Sequence, residues 1–296
     1  MTASDAPYSD VLIVGAGISG IGAAYRIHEK NPTLAYTIVE RRARIGGTWD
    51  LFRYPGIRSD SDIFTLSFPF EPWTRPESVA DGADIREYLA ETARKHGIDR
   101  HIQFNTYVRS ADWDSTTDTW TVHAEQDGHA EVYRARFLFF GTGHYDYDEP
   151  YTPEFFGIES FRGDVVHPQF WPESLDYAGK RVVVIGSGAT AISLLPALAR
   201  TAAHVTMLQR SPTYMLAVDR IDPMVQCVRK MLPRSVFHRL VRFRNAMMHL
   251  LLYFMFRKLP TFGRKVIRSR TIAALPEGYP VDVHFKPRYK PWDQRM

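Results

Sequence analysis

A chain of 296 residues, 45% hydrophobic and 24% charged, has the composition of a folded globular protein with room for two ordinary domains. Its 37 Lys and Arg against 33 Asp and Glu give a formal net charge of +4, too mild to argue for nucleic acid and sufficiently explained by the phosphates of cofactors. The single cysteine, Cys227, excludes an internal disulfide and a redox-active cysteine pair, which fits a reducing, cytoplasmic setting; the first ten residues lack the basic start of a signal peptide, and no apolar run is long enough to span a bilayer.

Val11–Val14 is a short apolar run with β-branched residues and predicts a buried parallel strand. Glycines follow at once, then an apolar-periodic helix from Ile18 to about Glu29, ended by Asn31-Pro32. Tyr36–Val39 predicts a second strand, which completes a βαβ unit. Residues 45 to 76 are rich in Gly, Pro, Arg and aromatics and read as an ordered functional loop. A helix is expected over 84–95, with Gly97 as its stop. Strands are expected over 102–111, 120–124 and 132–136, with Asp127-Gly128 as a hairpin turn. Phe137–Phe140 reads as a further buried strand, ending in Gly141-Thr142-Gly143. The polar, proline-bearing stretch 146–153 marks a domain crossing. Arg181–Ile185, a helix from Ala189 to Arg200 containing Pro196, and His204–Leu208 repeat the first unit. Residues 225–270 are helical in pattern, basic and Met-rich. After them Val281–Phe285 is the one further strand candidate.

Gly15-Ala16-Gly17-Ile18-Ser19-Gly20 is a GxGxxG turn between a strand and a helix. The first glycine makes the tight turn, the second lets the backbone approach a pyrophosphate, and the third lets helix pack on strand. The helix N-terminus then favours the phosphate charge. Glu40 ends the second strand about 20 residues on, where a carboxylate accepts from adenosine ribose hydroxyls. That acid suits FAD or NAD and disfavours a 2′-phosphate. Gly186-Ser187-Gly188-Ala189-Thr190-Ala191 is a GxGxxA turn in the same context. Its following strand ends not in an acid but in Gln209-Arg210-Ser211. A guanidinium there suits a ribose 2′-phosphate, so the second site points to NADPH. Two sites of different chemistry suggest hydride passing from NADPH to a bound flavin.

Between the motifs, Phe161, Gly163, His167, Trp171 and Pro172 fit the pattern FxGxxxHxxxWP. It resembles the fingerprint of type I Baeyer–Villiger flavin monooxygenases; related N- and S-oxidising flavin monooxygenases usually lack the Trp-Pro ending. Gly46-Gly47-Thr48-Trp49, then Arg53-Tyr54-Pro55-Gly56 and Asp60, resembles a second signature of that family. The resemblance implies an α/β fold with two Rossmann-like dinucleotide-binding domains, for FAD and NADP. The division expected is an FAD-binding part over 1–150, a linker with the fingerprint over 151–180, and an NADP-binding part over 181–296. In the family the chain later returns to complete the FAD domain. That return is not found here, so the resemblance implies an incomplete FAD domain and a C-terminally truncated chain.

The same resemblance places Ser19, Glu40, Thr48, Trp49 and Asp60 at FAD, and Val108 at a backbone contact to adenine. Arg58, Ser59 and Asp60 fall where flavin and nicotinamide meet. The run from Ser187 to Ser193, with Arg210 and Ser211, matches NADP contacts. Arg295 matches the arginine that stabilises the flavin peroxide, oriented by Asp60, and the fingerprint couples domains. No metal is expected. Blander readings stand beside these: His167 and Trp171 as packing residues, Asp60 as a loop carboxylate, Arg295 as a surface charge. The implied activity is insertion of one atom of O2 into a ketone, or oxidation of a thioether or thioamide sulfur through a C4a-peroxyflavin. The alternatives are an N/S-hydroxylating flavin monooxygenase and an inactive nucleotide-binding remnant. Residues 246–256 are apolar and flanked by Arg242, Arg244, Arg257 and Lys258. Too short to span a membrane, they read as helices packed on the NADP-binding part or on the part of the family's chain not found here, as helices covering the active site, or as a peripheral membrane contact.

Overall fold

In the computed structural model, which describes residues 6–293, the run at Val11–Val14 lies in β1 (Tyr8–Val14) and turns through Gly15–Gly17 into α1 (Ile18–Lys30). Asn31 closes that helix, its amide donating to Ile27 O at 2.8 Å. β2 (Tyr36–Val39) pairs in parallel with β1, Val11 opposite Tyr36 and Val14 opposite Val39. The glycine- and proline-rich stretch that follows holds two one-turn helices, α2 (Thr48–Leu51) and α3 (Ile63–Leu66). Next come α4 (Gly82–Lys95), β3 (Ile102–Gln103), β4 (Thr106–Asp114), β5 (Thr119–Gln126) and β6 (His129–Phe140). The six strands form one sheet in the order β3-β2-β1-β6-β5-β4.

β6 joins two kinds of pairing. Its first half runs antiparallel to β5, from Gln126 opposite His129 to Trp120 opposite Ala135. Its second half runs parallel to β1, from Tyr8 opposite Arg134 to Val14 opposite Phe140. The sequence suggested two strands here; nothing between Arg136 and Phe137 breaks the extended backbone, so they are one. The expectation of burial at Phe137–Phe140 also fails: Phe137, Phe139 and Phe140 are 53%, 41% and 59% exposed. α1 packs over β1 and β2, and the described residues leave much of this end of β6 uncovered. The core beneath the meander is a cluster of Leu12, Val14, Val39, Val122, Tyr133 and neighbouring residues.

The chain divides into two compact units. The first comprises residues up to Tyr54 together with Gly82–Glu173; the second comprises Pro55–Asp81 together with residues from Ser174 on. The second unit is built on β7 (Arg181–Ile185), α5 (Ala189–Leu198) and β8 (His204–Leu208), the two strands parallel with Arg181 opposite His204. α6 (Pro223–Met231), α7 (Arg234–Lys258) and α8 (Pro260–Ala273) follow, as the helical pattern predicted. Asp222 caps α6, accepting from Met224 N and Val225 N, and Pro223 occupies the first turn where its missing N–H costs nothing. Tyr214, Phe256 and Ile267 form a core with Leu252, Met255 and Val266 around them. Val281–Phe285 is not a strand: Val281–His284 forms the one-turn α9. The apolar alternation there meets Pro280 and has no partner strand among the described residues, so a local turn satisfies the backbone instead.

Candidate functional site

The turn after β1 is built for close backbone approach. Gly15 has φ +105°, and a Cβ on it would lie 2.6 Å from Gly141 O. A Cβ on Gly20 would lie 1.8 Å from Gly15 O, so even alanine would force the helix off the turn. No side chain caps α1 and no acidic residue stands in its first turn. The first-turn N–H groups and the positive end of the helix dipole therefore face whatever fills the turn.

What faces them is a cavity of about 540 Å³ within the first unit, lined by Gly15, Gly17, Ser19, Glu40, Thr48, Trp49 and Val108 among others. Gly20 is buried beneath the turn. The cavity is within the size range of small-molecule sites. Glu40, 4% exposed, is its buried acid. One carboxylate oxygen accepts from Ala16 N at 2.7 Å, the other from Arg42 N at 2.8 Å. A carboxylate has about four acceptor positions, so two remain for donors in the cavity. Burial pushes the Glu40 carboxyl above its ordinary pKa, against the lowering by the Ala16 and Arg42 amides. A donor in the cavity would favour the anion and relieve that cost.

Several residues in or next to this wall were not singled out in the sequence. Asp50, 2% exposed, gathers Arg42 Nε at 2.7 Å, Arg53 at 2.5 Å and Arg86 at 3.6 Å. Its main-chain oxygen also accepts from Arg42 at 3.0 Å and from Arg53 at 2.9 Å. This network fixes the backbone immediately after Thr48 and Trp49. Arg41 pairs with Asp148 and lies 4.2 Å from the Tyr107 ring centroid. The Arg41 hydrogen bond holds the Asp148 carboxyl below its ordinary pKa. The only sequence signal for this network was the density of arginines after β2.

The second unit repeats the turn. Gly186 has φ +123° and Gly188 stands at the N-cap of α5, with Ser187 between them. No side chain caps α5 and no acid stands in its first turn, which contains Ala189 and Thr190. Ser193 Oγ donates back to Ala189 O at 2.6 Å. Beyond β8, Arg210 and Ser211 are exposed, and Arg210 makes no hydrogen bond or ion pair among the described residues. Gln209 Nε2 donates to His284 O at 2.8 Å, which anchors the strand end that carries them.

Other expected residues are placed separately. Arg58, Ser59 and Asp60 belong to the segment that packs with the second unit. Ser59 is buried, its amide donating to Ala80 O at 2.9 Å and its hydroxyl to Ser61 O at 2.8 Å. Arg58 forms an isolated antiparallel bridge with Asp81, and Asp60 is exposed. Arg295 lies outside the described residues. In the fingerprint, His167 Nδ1 accepts from Gln169 N at 3.2 Å, and buried Gln169 donates to Asp146 O at 2.6 Å. Phe161, Gly163 and Pro172 are exposed and Trp171 half-buried. Among the described residues no group of three or more His, Cys, Asp and Glu could hold a metal.

Residues 9–244 match the family model described as flavin-binding monooxygenase-like. The FAD-containing monooxygenase EthA of Mycolicibacterium smegmatis is 51% identical over 288 residues, covering 97% of this chain and 58% of the relative. The chain thus spans about three fifths of the length of that relative. An oxidised steroid monooxygenase bound to NADP superposes with TM-score 0.65 at 33% identity, over 76% of this chain and 42% of that one. Cyclohexanone-bound cyclohexanone monooxygenase superposes with TM-score 0.64 at 30% identity, over 74% of this chain and 42% of the other.

Proposed function

The chain belongs to the flavin-binding monooxygenase-like family, and on that premise we propose that its first unit binds FAD and its second NADPH, in a Baeyer–Villiger type monooxygenase. The observation that carries the proposal is the buried Glu40 carboxylate beside the uncapped N-terminus of α1 in one cavity. An acid with open acceptor positions and a helix end with open donors suit the ribose and pyrophosphate of an adenine dinucleotide. The exposed Arg210, beside Ser211 and the uncapped α5, suits the 2′-phosphate of NADPH. FAD, when bound, would supply the oxygen-activating chemistry, with NADPH as its source of reducing equivalents.

The residues of the chain hold and orient. Gly15, Gly17 and Ser19 receive the pyrophosphate, Glu40 the ribose, and Val108 the adenine by its backbone. Asp50 keeps Thr48 and Trp49 in place through Arg42 and Arg53. Gly186, Ser187, Gly188 and Thr190 receive the second pyrophosphate. By resemblance, Arg295 supplies a fixed positive charge during oxygen transfer, with Asp60 as its positioning partner and Arg58 and Ser59 nearby in sequence. The reaction consumes a ketone, O2, NADPH and a proton and gives an ester or lactone, water and NADP⁺. Sulfur of a thioether or thioamide is a second acceptor for the same oxygen. The ketone reading is supported by Trp171-Pro172 in the fingerprint and by the cyclohexanone-bound neighbour. Product analysis on a ketone and a thioether, with FAD and NADPH supplied, tests it: ester from the ketone is expected, and sulfoxide alone would favour an N/S-hydroxylating enzyme. Arg295→Ala should still oxidise NADPH but yield no oxygenated product; normal product in that variant would remove Arg295 from the chemistry.

A further inference from the structure

α7 is 25 residues long, about 38 Å at 1.5 Å per residue. One face packs inward: Phe237, His238, Val241, Asn245 and Phe256 are buried. The opposite face is not polar. Val236, Leu240, Phe243, Met247, Leu251 and Phe254 recur at intervals of three and four and are 43–65% exposed. A helix that covers its core with one stripe ordinarily turns charge to water on the other; this one carries a second apolar stripe along nearly its whole length.

The charge around the stripe bears on what it would meet. Residues 223–273, which contain α6, α7 and α8, hold twelve Lys and Arg and no Asp or Glu. With 37 basic and 33 acidic residues in all, the rest of the chain is net acidic, so the positive charge is concentrated here. Half of it is engaged within the unit, as in Arg244 with Asp222, Arg257 with Asp293 and Arg268 with Asp282. Lys230, Arg234, Arg239, Lys258, Lys265 and Arg270 are exposed and form no ion pair among the described residues. Arg239 precedes Leu240 on the stripe, and Lys258 stands one turn beyond Phe254.

We propose that α7 docks the protein on an anionic lipid surface, its second apolar stripe entering the headgroup boundary and the unpaired Lys and Arg meeting lipid phosphates. The helix lies in the interface; no helix among the described residues is long and apolar enough to cross a membrane. Pairing of the stripe with a second copy is disfavoured, because a two-fold contact would bring the unpaired Lys and Arg of two such segments together, and residues 223–273 contain no Asp or Glu to offset them.

Flotation of the full 296-residue chain with vesicles tests the proposal. Vesicles of phosphatidylcholine with phosphatidylglycerol should carry the protein up, and phosphatidylcholine alone should carry at least tenfold less. The double variant Phe243→Asp, Leu251→Asp changes two exposed side chains and should lower binding at least tenfold with an unchanged circular dichroism spectrum. Arg239→Glu with Lys258→Glu should weaken binding to anionic vesicles while leaving residual binding to neutral ones as it was. No binding to anionic vesicles, equal binding to both compositions, binding unaffected by either variant, or self-association through this stripe in place of vesicle binding would each overturn the proposal.

Discussion

In the proposed function, Glu40 and Arg210 carry the division of labour between the two glycine turns. Glu40 is buried and bound to two backbone amides, so it is anchored before any ligand arrives and loses little freedom on binding. Glu40→Gln removes the charge but not the shape. A hydrogen bond to a charged group contributes about 1.5–3 kcal/mol, so FAD retention, measured by flavin absorbance after gel filtration and by titration, should weaken by about tenfold to a hundredfold. Unchanged FAD affinity in a folded Gln variant would mean that the ribose is held elsewhere. Arg210 is exposed and without an ion pair among the described residues, as a group awaiting a phosphate would be. Arg210→Gln should raise KM for NADPH by about tenfold, the loss of one charge-assisted contact, and leave KM for NADH where it was. A parallel rise for both nucleotides would indicate a structural role instead. The places of these two residues at the ends of their strands were legible because each stands at a fixed offset from a glycine turn. Asp50 was not, because its partners Arg42, Arg53 and Arg86 come from before it, after it and α4; only the folded chain brings them to one carboxylate.

At the scale of elements, α7 holds a buried histidine with a consequence for pH. His238 is buried, and neither ring nitrogen has a hydrogen-bond partner among the described residues. Burial lowers its pKa below the ordinary 6.5, the Arg242 charge on the same helix lowers it further, and Asp62 at the cap of α3 opposes them. The unfolded chain therefore binds the proton more readily than the folded one. Stability should be constant above the unfolded value of 6.5 and fall as pH drops from there toward the lowered folded value. His238→Phe should abolish that slope in denaturant titrations between about pH 7 and pH 5; a slope that survives would place it on other groups. The elements themselves were legible wherever local signals suffice: an apolar run and glycines for β1–α1 and β7–α5, Asp127-Gly128 for the hairpin between β5 and β6. They were misread where the answer is tertiary. Val281–Phe285 alternates like a strand, yet a strand needs a neighbour and this segment has none among the described residues. β6 changes from antiparallel to parallel partners along a single extended run, which no local pattern announces.

At the scale of the whole molecule, two units each end a parallel βαβ turn at an uncapped helix, and each leaves apolar surface in water: Phe137, Phe139 and Phe140 in the first, the stripe of α7 in the second. Exposure of this kind is invisible in composition, because burial depends on what comes to lie over a residue. The sequence expectation that Phe137–Phe140 is buried failed for that reason, while the α/β class and the pair of nucleotide turns did not depend on it. The proposed function has one turn taking a flavin and the other its reductant. Anaerobic mixing of the FAD-loaded chain with NADPH or NADH, followed as loss of the flavin absorbance band, tests that pairing. NADPH should bleach the flavin at concentrations at least tenfold below those of NADH, about one charge-assisted phosphate contact. A chain that binds no flavin, or whose bound flavin is left oxidised by NADPH, would contradict it.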